Sequence, residues 1–553
     1  MLYPQHSTLR VDSALPVLLF NMARLDLLDK FKAKTVDQSA AAQDEAPKFE
    51  HVIWYKDPGL RKLYFYAGVL CIASATNGYD GSFFNAVQNF ETWQTYFDRP
   101  SGSFLGLLVA LYTIASLVSL PLAPFLADRL GRKPPIILGC CFMIAGAVMQ
   151  GAATSIGIFT GGRILLGFGV SFTQLCSPTL LTEVCHPQHR GRLTTIYNCL
   201  WNVGALIVSW LSFGTNYISN DWSWRVPAIL QAFPSVIQLM FIWWVPESPR
   251  FLIAHDKFDE ALDIFAKYHG NGDRNHPTVQ FEFREARDTI KMELQNKKTT
   301  SYLDFFRTPG NRYRLIILIS IGFFSQWSGN AIISNYTNLL YEGVGIKSST
   351  TKLGLSAGTT SIALIISVTM ALLVDKIGRR PIFILATAGM FLTFIFWTLS
   401  SALYEERGAP GANHAMIFFI WLFNIFYSTA WVGLVIGYSL EILPYKLRAK
   451  GLFVVQACVQ AALALNNYAN PVAFEAFAGH NWKLYLIYTC WIGFELGFVY
   501  FLYVETKGPT LEELARVFDG DDAQVAELNL EQVEKEAEIL AAHDEAAPDQ
   551  KRV

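Results

Sequence analysis

The sequence predicts an all-α membrane protein with twelve transmembrane helices in two pseudo-symmetric six-helix bundles. Three observations predict it. Only 16% of the 553 residues are charged while 52% are hydrophobic, against about 25% charged in ordinary soluble domains. Mostly apolar segments of about 20 residues, the length a spanning helix needs, recur twelve times along the chain. The loop chemistry of the first half returns in the second. A net charge of −2 leaves no global basic field to hold nucleic acid. A mean hydropathy of +0.28 is too low for a chain that is all membrane, so polar tails or loops must accompany the spans.

Residues 1–62 read as a cytoplasmic tail. The run from Ala14 to Phe20 is short and leads into Arg24 and Asp26 rather than a small-residue cleavage site, so no signal peptide is expected. Spans near 63–88, 103–126, 134–153, 157–181, 194–215 and 226–245 form a first bundle over 63–245. Residues 246–314 are hydrophilic with short helix-like stretches and read as a cytoplasmic linker. Spans near 315–341, 354–374, 381–403, 414–440, 451–473 and 483–503 form a second bundle over 315–503, and 504–553 is an acidic cytoplasmic tail. Basic residues gather in alternate loops, at Arg129, Arg132 and Lys133, at Arg190 and Arg192, at Lys376, Arg379 and Arg380, and at Lys446, Arg448 and Lys450. Lys and Arg accumulate on the cytoplasmic side, so both termini are expected there. The eight cysteines lack paired ligand spacing and read as small packing residues. No metal, no cofactor and no nucleophile–base constellation is expected, and the chain does not read as an enzyme.

Asp128-Arg129-Leu130-Gly131-Arg132-Lys133 after the second span recurs as Asp375-Lys376-Ile377-Gly378-Arg379-Arg380 after the eighth. Glu183 precedes Arg190 by seven residues, as Glu441 precedes Arg448. Pro246-Glu247-Ser248-Pro249-Arg250 ends the sixth span as Val504-Glu505-Thr506-Lys507-Gly508 ends the twelfth. Three echoes in register define a parallel repeat, which places a binding site at mid-membrane between the halves. Guanidinium forks facing carboxylates at helix ends form bidentate pairs. One network of Asp128, Arg129, Arg132, Glu183, Arg190, Glu247 and Arg250, and a second of Asp375, Arg379, Arg380, Glu441, Arg448 and Glu505, are expected to latch one conformer. The alternative is that these charges fix topology and solvate helix ends.

Asp80, Arg163 and Glu495 are ionisable residues deep in spans, costly in lipid and functional by default. Asp80 and Arg163 lie at similar depth in the first and fourth spans and can meet. A permanent ion pair stapling two helices is the alternative. Glu495, on the last span, reads as a packed carboxyl.

With Gly78-Tyr79-Asp80-Gly81 in span one, Gly162-Arg163, Gly167 and Gly169 in span four, and Gln326, Gly329 and Asn330 in span seven, the chain from Tyr64 to Leu514 resembles the sugar-porter family of the major facilitator superfamily. It is most similar to fungal proton-coupled members of lactose-permease, cellodextrin-transporter and hexose-transporter type. The resemblance implies the major facilitator fold and alternating access around a central sugar site. It implies that Asp80, facing Arg163, couples a proton; passive carriers commonly have Asn there. A carboxylate paired with Arg163 keeps its charge, whereas separation into a drier environment raises its affinity for a proton.

Sugars need amides, hydroxyls and aromatic faces. Candidates are Asn198 in span five, Gln326, Asn330 and Tyr336 in span seven, and Trp431 in span ten, with Asn466 and Asn470 in span eleven equally readable as interhelical hydrogen bonders. Asn198 stands where many hexose carriers have Gln. Two positions depart from the family: Ala331 occupies its usual span-seven Asn position and Ile436 its usual span-ten Trp position. Asn335-Tyr336-Thr337 fits a glycosylation sequon but falls inside a span. The expected function is sugar:proton symport of a hexose or a disaccharide such as lactose or cellobiose. The expected partners are a small-molecule sugar, a proton and the lipid bilayer, with no nucleic acid, for a monomer in the plasma membrane. The rivals are a passive uniporter and a transport-incompetent sugar sensor.

Overall fold

A computed structural model describes residues 55–299, 301–409, 411–444, 447–507 and 518, with the side chains of some residues inside these ranges left out. The first half runs α1 (Pro58–Val87), α2 (Glu91–Tyr96), α3 (Gly102–Ser119), α4 (Leu122–Leu130), α5 (Lys133–Gly151), α6 (Ile156–Val184), α7 (Pro187–Thr215), α8 (Trp222–Leu230) and α9 (Ala232–Phe241). Four linker helices follow, α10 (Pro249–Ala254), α11 (Phe258–His269), α12 (Pro277–Thr299) and α13 (Asp304–Arg307). The second half runs α14 (Pro309–Trp327), α15 (Asn330–Asn335), α16 (Thr337–Gly343), α17 (Ser349–Ile377), α18 (Arg379–Arg407), α19 (Ala412–Ala430), α20 (Leu434–Ile442), α21 (Arg448–Ala476) and α22 (Trp482–Leu502). Nine candidate spans among the described residues are long and apolar enough to cross a bilayer on their own. The other crossings are α1, the broken pair α8–α9 and the twice-broken α14–α15–α16.

The packing obeys the repeat. In the first half α1 lies against α7 and α5 against α6; in the second, α14 lies against α21 and α18 against α19. The halves meet along α3 with α21 and along α7 with α17. Numbered as spans, these are two with eleven and five with eight, pairs that a two-fold relation between the halves exchanges.

The glycines of span four have a steric task. A Cβ on Gly146 would sit 2.7 Å from the Gly162 carbonyl oxygen, and one on Gly162 equally close to that of Gly146; Gly139 and Gly169 repeat the arrangement one level nearer the Arg-rich loops. α5 and α6 therefore touch backbone to backbone, as small residues allow between membrane helices. Gly78 meets the Trp201 carbonyl and Gly204 that of Ala75, bringing α1 onto α7 in the same way.

The linker helices have their own small core, built from Leu252, Ala261, Phe265, Val279, Ala286 and Ile290. α11 docks on the first half through His269, which places Nδ1 at 2.7 Å from Glu282 and Nε2 at 3.1 Å from the Val184 carbonyl, at the end of α6.

Candidate functional site

On the face carrying the Arg-rich loops, called the basic face below, the two networks are near copies. Gly131 and Gly378 take left-handed φ values of 99° and 104°, which turn the chain sharply into α5 and α18. Glu247 accepts from the backbone N–H groups of Arg132 and Lys133 at 2.9 and 3.3 Å; Glu505 accepts from those of Arg379 and Arg380 at 3.0 and 3.1 Å. Each carboxylate thus satisfies donors that a helix start leaves open and meets its positive end. The Arg132 guanidinium donates to Glu183 at 3.2 and 3.3 Å, with Asp128 at 3.6 Å. Arg379 donates to Glu441 at 3.1 and 2.9 Å, and Thr506 hydrogen-bonds the same carboxylate. Lys133 and Arg380 reach the carbonyls of Trp243 and Tyr500.

These partners all belong to one half, so in this conformation each network ties the ends of three spans together within its own half. Two expected members stand outside. Arg129 lies over the Phe125 ring, 4.3 Å from its centroid, and among the described residues neither it nor Arg250 has an ion-pair partner. Arg448 opens α21, while the side chains of Arg190 and Asp375 lie outside the described residues.

Asp80 is 2% exposed. Its Oδ1 accepts from Gln231 Nε2 at 3.1 Å, and its Oδ2 has no hydrogen-bond partner among the described residues. Arg163 is also buried, but no ion pair joins it to Asp80. The guanidinium donates to the Leu108 carbonyl at 3.1 Å and lies 4.1 Å from the Phe84 ring centroid and 5.3 Å from that of Tyr112. The expected meeting of the two side chains is therefore not made here: a backbone carbonyl and two aromatic faces hold the cation, and an amide from α8–α9 holds the acid. Glu495 is fully buried beside Trp491.

Farther from the basic face a chain of amides crosses between the halves. Gln88 donates to the Asn335 carbonyl at 2.8 Å, Asn335 to Asn467 Oδ1 at 2.8 Å, and Asn467 to Thr113 Oγ1 at 3.2 Å. Asn85 Oδ1 accepts from both Thr337 N and Thr337 Oγ1, at 3.1 and 2.7 Å. Trp210 to Ser361 and Asn216 to Thr350 add bonds between α7 and α17. The helix break at Tyr336 frees the Asn335 carbonyl and Thr337 N–H for this work. All of these bonds lie on the side away from the Arg-rich loops, so that face is the closed one.

The sugar candidates divide. Asn198 is exposed midway along α7, and Gln326 and Asn330 are half-buried where α14 gives way to α15. The break between them is Gly329, at φ 95°, with the Phe394 ring 2.5 Å from where a Cβ would stand. Tyr336 is 0% exposed and donates to the Asn467 carbonyl. Trp431 is 2% exposed, donates to Thr387 at 3.3 Å and packs edge-on to Phe383. Both expected aromatic ligands are thus buried in this conformation, each hydrogen-bonded within the second half. Asn466 donates to the Gln326 carbonyl, and the Tyr488 hydroxyl lies 2.7 and 2.8 Å from the side chains of Asn466 and Asn470. Asn466 thus braces the backbone of Gln326, and the Tyr488 hydroxyl links it to Asn470. Sequence reasoning missed Gln231, Asn467, Asn85 and Thr337. The sequon was a signal for the last of these, since Asn335 and Thr337 are both committed to the closed face.

Residues 66–518 match the family described as sugar (and other) transporter. The chain belongs to the sugar transporter family of the major facilitator superfamily: it is a multi-pass membrane transporter and not an enzyme. It is 26% identical over 499 residues to the high-affinity glucose transporter of Kluyveromyces lactis, covering 85% of this chain and 88% of that one. It is 27% identical over 526 residues to the MFS glucose transporter mfs1 of Aspergillus flavus, covering 87% and 96%. Its fold is that of the proton:xylose symporter XylE bound to 6-bromo-6-deoxy-D-glucose (TM-score 0.66, 23% identity, 82% and 99% coverage). A partially occluded inward open form of XylE from E. coli is equally similar (TM-score 0.66, 21% identity, 81% and 99% coverage).

Proposed function

We propose that the protein carries a hexose together with a proton across the plasma membrane by alternating access, with the basic face and both termini cytoplasmic. The observation that carries this reading is Asp80: a buried carboxyl with one amide partner, one open oxygen and no cation in contact. An ionised group so placed is costly to bury, so the state with the outer amide layer closed is the one in which Asp80 holds its proton on Oδ2. Arg163 is the counter-charge Asp80 lacks here. In the opposite conformer their pairing stabilises the carboxylate, and the proton and the sugar bias one rocking equilibrium.

Two relatives are named as glucose transporters and one neighbour as a proton:xylose symporter, which supports a monosaccharide ahead of lactose or cellobiose. Asn198, Gln326 and Asn330 are the amides open to it. The basic-face networks hold each half as a body, and those bodies rock about the α3–α21 and α7–α17 contacts. The test is reconstitution into proteoliposomes with an imposed inward proton gradient. Glucose or xylose should accumulate above its external level and drain when a protonophore is added. Uptake that only equilibrates, with or without the gradient, would point to a passive uniporter.

A further inference from the structure

At the basic-face end of the first half, a groove of about 500 Å³ opens between the start of α1 and the end of α9. Its walls include Arg61, Lys62, Phe65, Tyr66, Phe241 and Trp244. Among the described residues neither Arg61 nor Lys62 has an ion-pair partner, and both are exposed. Asp57, the acid next to them in the described chain, is turned to other partners: its Oδ1 caps α1 through Gly59 and Leu60, and its Oδ2 accepts from Asn271. The apolar wall is continuous, with Phe65 edge-on to Phe241 at 5.5 Å and Phe241 against Trp244 at 5.8 Å. Phe65 is 55% and Trp244 62% exposed on the surface a bilayer covers. Lys133, anchored to the Trp243 carbonyl at 3.2 Å, adds a third cation to the same edge of the bundle.

We propose that this groove binds one anionic phospholipid, its phosphate and acidic headgroup held by Arg61 and Lys62 and its first acyl carbons laid along Phe65, Phe241 and Trp244. Two exposed cations, unpaired among the described residues, above an aromatic wall match a ligand that is anionic at one end and hydrocarbon at the other. A free phosphate would use only the first feature and a zwitterionic lipid would gain little from it. Basic pockets on the cytoplasmic side of membrane helices take such headgroups, and aromatic rings sit at the interfacial depth. The site is separate from the path of sugar and proton, and its occupancy is independent of whether the carrier is coupled.

The experiment is native mass spectrometry of the full-length protein released from nanodiscs of equimolar phosphatidylserine and phosphatidylcholine. The native protein should retain one phosphatidylserine in preference to phosphatidylcholine. Arg61→Gln/Lys62→Gln should lower that apparent affinity roughly thirtyfold, the equivalent of about 2 kcal/mol at about 1 kcal/mol per basic residue. Arg284→Gln/Lys291→Gln, which removes two charges from the linker helix α12, should retain the lipid, and Trp244→Ala should release it sooner. Equal retention in the Arg61/Lys62 variant, or equal retention of phosphatidylcholine, would overturn the proposal. Displacement by inorganic phosphate as effective as displacement by phosphatidylserine would identify a phosphate site instead and overturn it as well. Lipid retention is read without any transport assay, so its failure leaves the symport reading untouched and the converse also holds.

Discussion

Asp80 is held at one oxygen by Gln231, while Arg163 donates to the Leu108 carbonyl instead. An ionisable residue deep in a span is visible from sequence alone because lipid makes it costly. Which neighbour faces it depends on helix rotation, and nothing in the periodicity of residues 222–241 marks Gln231 as the side that meets α1. The same difficulty affects the sugar candidates. Asn466 and Asn467 are adjacent in sequence but about 100° apart around α21; one props Gln326 and the other joins the halves. Gln326 and Trp431 should therefore behave differently. Gln326→Ala should raise the half-saturation for sugar uptake roughly tenfold, the equivalent of one lost hydrogen bond of about 1.4 kcal/mol, with thermal stability little changed. Trp431→Ala should destabilise the protein by about 3–5 kcal/mol, as large-to-small changes in a packed core do, whereas Trp431→Phe should fold and keep the native half-saturation. Transport kinetics paired with thermal unfolding separate the two, and a Trp431→Phe variant with a weakened half-saturation would return that ring to the sugar site.

Among the elements, the broken span α14–α15–α16 has the most consequence. Its breaks at Gly329 and Tyr336 release backbone groups that an unbroken helix would consume, and the amide layer uses them. Asn467 is the hub of that layer. Asn467→Ala leaves the Asn335 amide and the Thr113 hydroxyl facing a gap, at about 1–3 kcal/mol for each buried polar group left unsatisfied. The closed face should open: spin labels at Asn220 and Lys347, one on each half, should shift to longer distances in double electron–electron resonance. An unchanged distance distribution would show that the amide layer does not hold the face shut. The linker helices give a second, pH-dependent prediction. Burial, with His269 beside it, pushes His186 down from its ordinary value of 6.5 to about 4. Between those values an undocked linker takes up a proton that the docked one refuses, so docking is strongest above the ordinary value and weakens as pH falls toward about 4. Hydrogen exchange of α11, corrected for its intrinsic pH dependence, should be faster at about pH 5 than at pH 7, and His186→Gln should flatten the difference. A pH difference undiminished in that variant would assign the effect elsewhere.

For the whole molecule, the repeat is what sequence reveals best. Hydropathy locates the spans, and the duplicated loop motifs pair the halves, because both signals are local in the chain. The seam between the halves is not local, and no sequence pattern named α3–α21 or α7–α17 as the contacts about which they turn. Two separate basic-face networks, each tied within its half by the described contacts, predict that Glu247→Gln and Glu505→Gln each lower thermal stability and that the double variant loses the sum, since distant sites without shared partners add. Strong non-additivity would mean that the networks act across the halves. The central claim is that Asp80 carries the proton that drives the sugar, and the most direct measurement compares native protein with Asp80→Asn in proteoliposomes under the same imposed proton gradient. The account predicts that the variant loses uphill accumulation while still exchanging labelled for unlabelled sugar across the membrane. Accumulation by the variant equal to that of the native protein would contradict it.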